Sequence, residues 1–356
     1  MSKRVLLTGA GGFVGAHFVD HFLVNTDWEL VCVDSWAHKG IPERILDSEH
    51  YQNNKERVTV LTHDLNAPFN KVTIDRLGEI DYIVNLASLS HVDTSITDPV
   101  NFVKNNVNLA LNMLELARDL WGLRKEGSLN QPPEGKKFIQ FSTDEVYGPM
   151  LENRPHQEWD PIIPSNPYSA SKAAQEAIAI SYWRTYAVPL IVTNTMNIIG
   201  EKQDGEKYLP KIVSSIITGK PLTVHGQKNA DGKYVAGSRF YLHARNAADA
   251  IMYILQNIDV PLFPHANEPE RFNVVSDIEL DNLDFAKMVA KLMGKELNYE
   301  FIDVHSVRPG HDPKYGLTGQ KLKDAGYEYP VSFEDSLKST IEWMQQPENK
   351  RFIEAL

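Results

Sequence analysis

Short aliphatic runs alternate with helix-period stretches along the first half of the chain. Val5-Leu6-Leu7-Thr8 reads as a strand, and Phe13, Val14, His17, Phe18, His21 and Phe22 then recur at helical spacing. Glu29 to Val33, Arg57 to Thr62, Asp81 to Ala87, Phe138 to Phe141 and Val188 to Asn194 read as further strands. Pro99 opens a helix with Val103, Val107, Leu111, Leu114 and Ala117 on one face, and Tyr168 to Tyr186 is a second long helix. Residues 35–57 read as loop or short helices and 121–137 as a loop. This alternation demands right-handed crossovers and predicts an α/β fold, a Rossmann-type doubly wound parallel sheet.

After about residue 195 the rhythm breaks. Residues 197–210 and 226–237 are polar and irregular, while 211–218, 247–256 and 333–344 read as helices. Leu222 to Gly226 and Arg239 to His243 read as strands. The expected organisation is a Rossmann domain over 1–195, with segments of 239–275 returning to it. A smaller mixed α/β substrate-binding domain occupies most of 196–356.

Between the first strand and helix lies Gly9-Ala10-Gly11-Gly12-Phe13-Val14-Gly15. Gly9 permits a tight turn, Gly12 lets backbone approach a pyrophosphate, and Gly15 lets helix and strand pack closely. The helix then points free N–H groups at the phosphates. An ordinary strand–helix turn would look the same, but the second strand ends in Asp34, an acid placed to accept from ribose hydroxyls and to repel a 2′-phosphate. That favours NAD over NADP. Asp64, after the third strand, is a candidate for the adenine side or a plain turn residue.

Composition narrows the picture. A net charge of −11 without a basic block opposes nucleic-acid binding as the main activity. The single cysteine, Cys32, excludes an internal disulfide and a multi-cysteine metal site, and its strand context predicts a buried residue. No apolar run has the length to span a bilayer and no signal-peptide pattern opens the chain, so the cytoplasm is the expected compartment, with no membrane partner and no metal.

The candidate chemistry sits in Ser142-Thr143-Asp144-Glu145-Val146-Tyr147-Gly148, followed by Tyr168-Ser169-Ala170-Ser171-Lys172. Tyr-x-x-x-Lys occurs twice, at Tyr51/Lys55 and Tyr168/Lys172; the first, in a polar stretch, reads as a solvated helix face. A phenol, with a pKa near ~10, becomes a base only beside a cation, which Lys172 supplies. Thr143 can orient the hydroxyl that Tyr168 deprotonates as hydride leaves for NAD. Asp144 and Glu145 need a separate explanation. One could be solvated, but past the strand end both can turn into the cleft. There they would divide into an acid and a base able to expel water beside an oxidised carbon.

At these residues the chain resembles the extended short-chain dehydrogenase/reductases, and within them the dTDP-glucose 4,6-dehydratases. Thr8 to Gly15 looks like the cofactor loop, Asn85-Leu86-Ala87 with Ser90-His91-Val92-Asp93 like the fourth-strand motif, and Arg308-Pro309-Gly310-His311-Asp312 like a late motif near the sugar nucleotide. The resemblance implies NAD-dependent conversion of a nucleoside-diphosphate hexose, dTDP-glucose first, to its 4-keto-6-deoxy product. Tyr168 would take the C4 hydroxyl proton with Lys172 and Thr143, Glu145 the C5 proton, and Asp144 would protonate the departing C6 hydroxyl. Cofactor contacts are expected at Gly9, Gly12, Phe13, Val14, Gly15, Asp34, Asp64, Leu65, Ala87, Tyr168 and Lys172. Substrate contacts are expected at Ser90, His91, Thr143, Asn197, Lys207, Arg239, Asn273 and Tyr315. Relatives pair as homodimers through two helices, which implies the same for Pro99–Leu120 and Tyr168–Tyr186. UDP-glucose or another hexose nucleotide, an epimerase or decarboxylase on the same fold, and a non-catalytic NAD-binding regulator remain open.

Overall fold

A computed structural model describes residues 2–123, 132, 134–150, 154–303 and 314–352. Its strands are β1 (Arg4–Thr8), β2 (Glu29–Asp34), β3 (Val58–Thr62), β4 (Tyr82–Asn85), β5 (Lys137–Thr143), β6 (Leu190–Thr195), β7 (Asn197–Ile199), β8 (Leu222–Lys228), β9 (Tyr234–Ala236), β10 (Ser238–His243), β11 (Glu270–Val274), β12 (Glu279–Asp281) and β13 (Tyr299–Asp303). Seven of them form one parallel sheet in the order β11-β6-β5-β4-β1-β2-β3. β4, β5 and β6 are buried at every residue, as strands covered on both faces must be. β3, at the edge, is the half-exposed one.

Register is what makes a site of this sheet. Thr8 stands opposite Asn85, Asn85 opposite Gln140, and Thr143 opposite Thr195. The carboxyl ends therefore form one ledge, and the strand order reverses between β1 and β4, where a doubly wound sheet opens its binding crevice. Helix starts are encoded locally: Asp98 caps the helix Pro99–Leu120, and Asn166 closes a capping box on the helix Pro167–Tyr186, each with proline in the first turn.

The remaining strands form two small sheets, β12-β10-β7 and β13-β8-β9. β10, at 238–243, pairs with β7 and β12 and not with the main sheet. The next helix, Ala244–Asn257, packs on Phe13–Asn25, and β11 extends the main sheet beside β6. β7 and β9 fall in stretches whose composition predicts irregular loop. Each is three residues long, too short for a period to register, and exists because a partner strand is presented to it. Cys32 is fully buried, and burial pushes its thiol up to about 12, as its strand context predicts. No described helix is long and apolar enough to cross a membrane.

Candidate active site

A cavity of about 1230 Å³ runs from the first βα turn to the β8 sheet. Its floor at one end is the glycine turn. A Cβ on Gly15 would come within 2.1 Å of the Gly9 carbonyl oxygen, so no side chain fits there. The helix Phe13–Asn25 has no side-chain cap, leaving its first-turn amides for a ligand. Asp34 is buried, its carboxylate accepting from the Gly11 and Trp36 N–H groups at 2.9 Å each. Each oxygen keeps a lone pair for a ribose hydroxyl. The uncapped amides, the glycine cradle and the acid together fit a dinucleotide. His63, Asp64, Leu65 and Ala87 continue that wall. Asp64 is held in its own turn by accepting from the Asn66 N–H at 2.9 Å. Lys39 and Glu206, which both line the cavity, pair across to one another at 2.5 Å.

The reactive side chains stand where β5 ends. Asp144–Tyr147 forms one 3-10 turn, with Thr143 as its cap. That turn is why two sequence neighbours both line the cavity, where strand alternation would have sent one away. Its far end is anchored: the Tyr147 hydroxyl donates to the Glu158 carbonyl at 2.8 Å and accepts from Arg271 at 3.2 Å. Arg271 pairs with Glu176 at 2.9 Å, both virtually inaccessible. Removing one member of such a pair strands a buried charge, costing about 3–5 kcal/mol, so this wall behind the turn is rigid.

Thr143 donates to Asp144 Oδ1 at 2.9 Å. Burial, and then the neighbouring Glu145 charge, push Asp144 up to about 7. Glu145 Oε2 accepts from the Asn166 amide at 3.1 Å. Tyr168 faces the same space, and burial followed by Glu145 raises its phenol well above the ordinary range, against a lowering contribution from Thr143. Lys172 is held by burial at about 8. Its Nζ donates to the Phe141 carbonyl and to Gln175 Oε1, each at 2.7 Å. An ammonium has a third proton, which these bonds leave for a ligand.

A chain of buried side chains fixes Lys172. Thr8 donates to Asn85 at 2.8 Å, Asn85 to Gln140 at 3.0 Å, and Gln140 to the Gln175 oxygen that also holds Lys172, at 3.2 Å. Every member is satisfied from its neighbour, which ties the ends of β1, β4 and β5 to one helix. Sequence reasoning placed Asn85 in a motif without this role and missed Gln140, Gln175 and Asn166. Their signals were a polar residue inside an apolar strand, a buried glutamine one turn after Lys172 on its helix, and asparagine before a proline at a helix start.

Among the expected substrate residues, Ser90, His91, Asn197, Lys207 and Arg239 line the cavity. Arg239 is nearly buried, with its guanidinium 4.7 Å from the Tyr315 ring centre. Tyr315 and Asn273 lie behind that wall. Asn273 is a fully buried β11 residue whose side chain donates to the His156 carbonyl at 3.1 Å. The motif at 308–312 lies outside the described residues. Tyr51 and Lys55 lie away from the cavity, on a short helix and the turn after it.

One group among the described residues has the make-up of a metal site, His17, Glu201 and His243, within 4.8 Å of one another. The Arg245 N–H donates to His243 Nδ1 at 3.0 Å, which leaves the ring proton on Nε2, facing Glu201 at 2.9 Å. His17 meets the Glu201 carbonyl at 2.8 Å. This is a hydrogen-bonded joint between the helix Phe13–Asn25 and the β10 side.

Comparison with known proteins agrees with this geometry. The model of the family described as GDP-mannose 4,6 dehydratase matches residues 6–340. The low-salt glycan biosynthesis protein Agl12 of Haloferax volcanii is 31% identical over 340 residues, 95% of this chain and 97% of that protein. The trifunctional UDP-glucose 4,6-dehydratase/epimerase/reductase RHM2 of Arabidopsis thaliana is 32% identical over 97% of this chain, which spans only 47% of that longer protein. The crystal structure of DesIV, a dTDP-glucose 4,6-dehydratase from Streptomyces venezuelae with NAD bound, superposes with a TM-score of 0.79 at 27% identity, covering 99% of both chains.

Proposed function

The chain belongs to the nucleotide-sugar 4,6-dehydratase family of the extended short-chain dehydrogenase/reductases, and from that premise we propose that it uses NAD to convert a nucleoside-diphosphate hexose, dTDP-glucose first, into its 4-keto-6-deoxy derivative. The observation that carries this is the Asp144–Glu145 pair on one cavity wall beside Thr143 and Tyr168, with Asp144 held near 7 while its neighbour keeps an amide donor. NAD, when bound, supplies the acceptor and donor of hydride. Tyr168 takes the C4 hydroxyl proton, and Thr143 orients that hydroxyl. Oxidation acidifies C5, and Glu145 removes its proton. Asp144, protonated, gives its proton to the departing C6 hydroxyl, so one water leaves; hydride then returns to C6 and Glu145 gives its proton back to C5. A family epimerase or decarboxylase would use Tyr168 and Lys172 but would have no task for this pair.

The sugar nucleotide runs toward Lys207 and Arg239, cations suited to a diphosphate. Of the relatives named above, DesIV is a dTDP-glucose and RHM2 a UDP-glucose 4,6-dehydratase, and the end-to-end match to the dTDP enzyme supports dTDP-glucose. Offering dTDP-, UDP-, GDP- and CDP-hexoses to the purified protein and weighing the products decides the matter. Loss of one water from one of them supports the reading, and an isobaric epimer from every substrate would defeat it.

Protonation sets a pH dependence. Asp144 works as an acid only while protonated, so kcat is expected to fall as pH rises through about 7. Asp144→Asn, being unable to titrate, lowers the rate and abolishes that limb; a wild-type profile flat to pH ~9 would contradict the assignment. Because burial lifts the folded pKa above the ordinary aspartate value of about 3.8, the group's contribution to stability is full below about 4 and fades as pH rises to 7.

The helices Pro99–Leu120 and Pro167–Tyr186 pack side by side, leaving Val100 and Leu111 exposed. A homodimer through these two helices, in the cytoplasm where NAD and nucleotide sugars meet, is part of the same proposal. Light scattering should show twice the chain mass; a concentration-independent monomer would exclude it.

A further inference from the structure

Asn166 comes immediately before the helix that carries Tyr168 and Lys172, and it makes two kinds of contact at once. Its Oδ1 accepts from the Ser169 N–H at 2.9 Å, and its own N–H donates to Ser169 Oγ at 3.1 Å. A backbone N–H can only donate, so that contact fixes which end of the amide is oxygen. The Nδ2 group is therefore the one that meets Glu145 Oε2, at 3.1 Å. An NH2 group can only donate, and a donor is bound more strongly by a carboxylate than by a carboxylic acid.

We propose that Asn166 is the positioning residue that makes Glu145, and not Asp144, the base of the pair. The two carboxyls are sequence neighbours on one short turn and share one cavity wall. Their surroundings differ in burial, deeper at Asp144, and in one directed contact on the Glu145 side, while Tyr168 and Lys207 are further titratable groups that feel the Glu145 charge. Asp144 faces the Thr143 hydroxyl, which can donate to a carboxylate or accept from an acid with equal ease. Glu145 faces a group that can only donate. The contact thereby favours the ionised form of Glu145 and leaves the proton to Asp144, and the long Glu145 side chain is held in one orientation by a residue whose backbone is locked in a capping box. The helix start that delivers Tyr168 to the site thus also sets the carboxylate that completes the reaction. This rests on the dehydratase reading above.

The competing account is that Asn166 is a helix cap and nothing more. Serine and aspartate cap helices about as well as asparagine, so Asn166→Ser and Asn166→Asp keep the helix start. Serine removes the amide donor, and aspartate sets a second carboxylate against Glu145. In Asn166→Ser the elimination step is expected to slow about 10- to 100-fold, as for loss of a hydrogen bond to a charged group. Oxidation at C4 in a single turnover should stay within about threefold, and the melting temperature within about 2 °C. The acid limb of the kcat profile should move to higher pH, furthest in Asn166→Asp, and the isotope effect from deuterium at C5 should grow. A wild-type acid limb and isotope effect in Asn166→Ser, or an equal fall in oxidation and elimination, would overturn the proposal. If the wild type removes water from no hexose nucleotide, the dehydratase reading falls and this inference with it. If the wild type does so and Asn166→Ser matches it, only the inference falls.

Discussion

Glu145→Gln is expected to oxidise the sugar at C4 and stop there. Glutamine keeps the size of the side chain and its place on the Asp144–Tyr147 turn, but it has no lone pair basic enough to take a proton from carbon. Loss of a positioned general base costs on the order of 10²–10⁴ in rate. The oxidising residues, Tyr168 and Thr143, are untouched, so a stoichiometric rise in nicotinamide absorbance should follow substrate addition without formation of the 4-keto-6-deoxy sugar. Wild-type turnover in this variant would show that the base is elsewhere in the cavity. The Asn166 amide also sharpens what the variant must do. Nδ2 would meet the new amide's oxygen or its nitrogen, and only the former orientation preserves the contact.

Tyr168→Phe should fail one step earlier. The phenol is the only hydroxyl of the Tyr/Lys pair, and in the protein alone its burial beside Glu145 makes its phenolate scarcer at neutral pH than that of free tyrosine. Two of the three Lys172 ammonium protons go to Phe141 and Gln175. Activation therefore depends on what the occupied site adds: positive charge beside the ring and the remaining Lys172 proton. Without the phenol, the C4 hydroxyl has no acceptor for its proton, and a loss of about 10³ or more is expected in single-turnover oxidation. Oxidation in Tyr168→Phe at more than a tenth of the wild-type rate would assign the proton to another group. Together the two variants separate the steps: one stalls after oxidation, the other before it.

Much of this site is legible in the sequence because its residues are contiguous. The glycine turn, Asp34, the Thr143–Glu145 triplet and the Tyr168/Lys172 pair each lie within a few residues of a strand or helix end, and period alone places those ends. The parallel sheet follows from the same alternation. What is not legible comes from contacts between distant segments. Gln140 and Asn85 look like interruptions in apolar strands, and only strand register shows them as links in the chain that holds Lys172. Asn166 caps its helix, and its second contact exists because the turn after β5 brings Glu145 to it. Arg239 is placed by β10, whose pairing with β7 and β12 has no periodic signature in three-residue partners. Asn273 and Tyr315 show the converse. The resemblance suggested substrate contact, but both are buried outside the cavity lining, one in β11 with its amide nitrogen on the His156 carbonyl and the other against Arg239.

The central claim is that one site removes hydride from C4, expels water across C5 and C6, and returns that hydride to C6. It is tested most directly by the fate of deuterium in a nucleoside-diphospho-hexose labelled at C4 and turned over by the wild-type protein in ordinary water. The account predicts a product lighter by one water, with the deuterium now at C6. A product that has lost no water and carries the label still at C4 would contradict it.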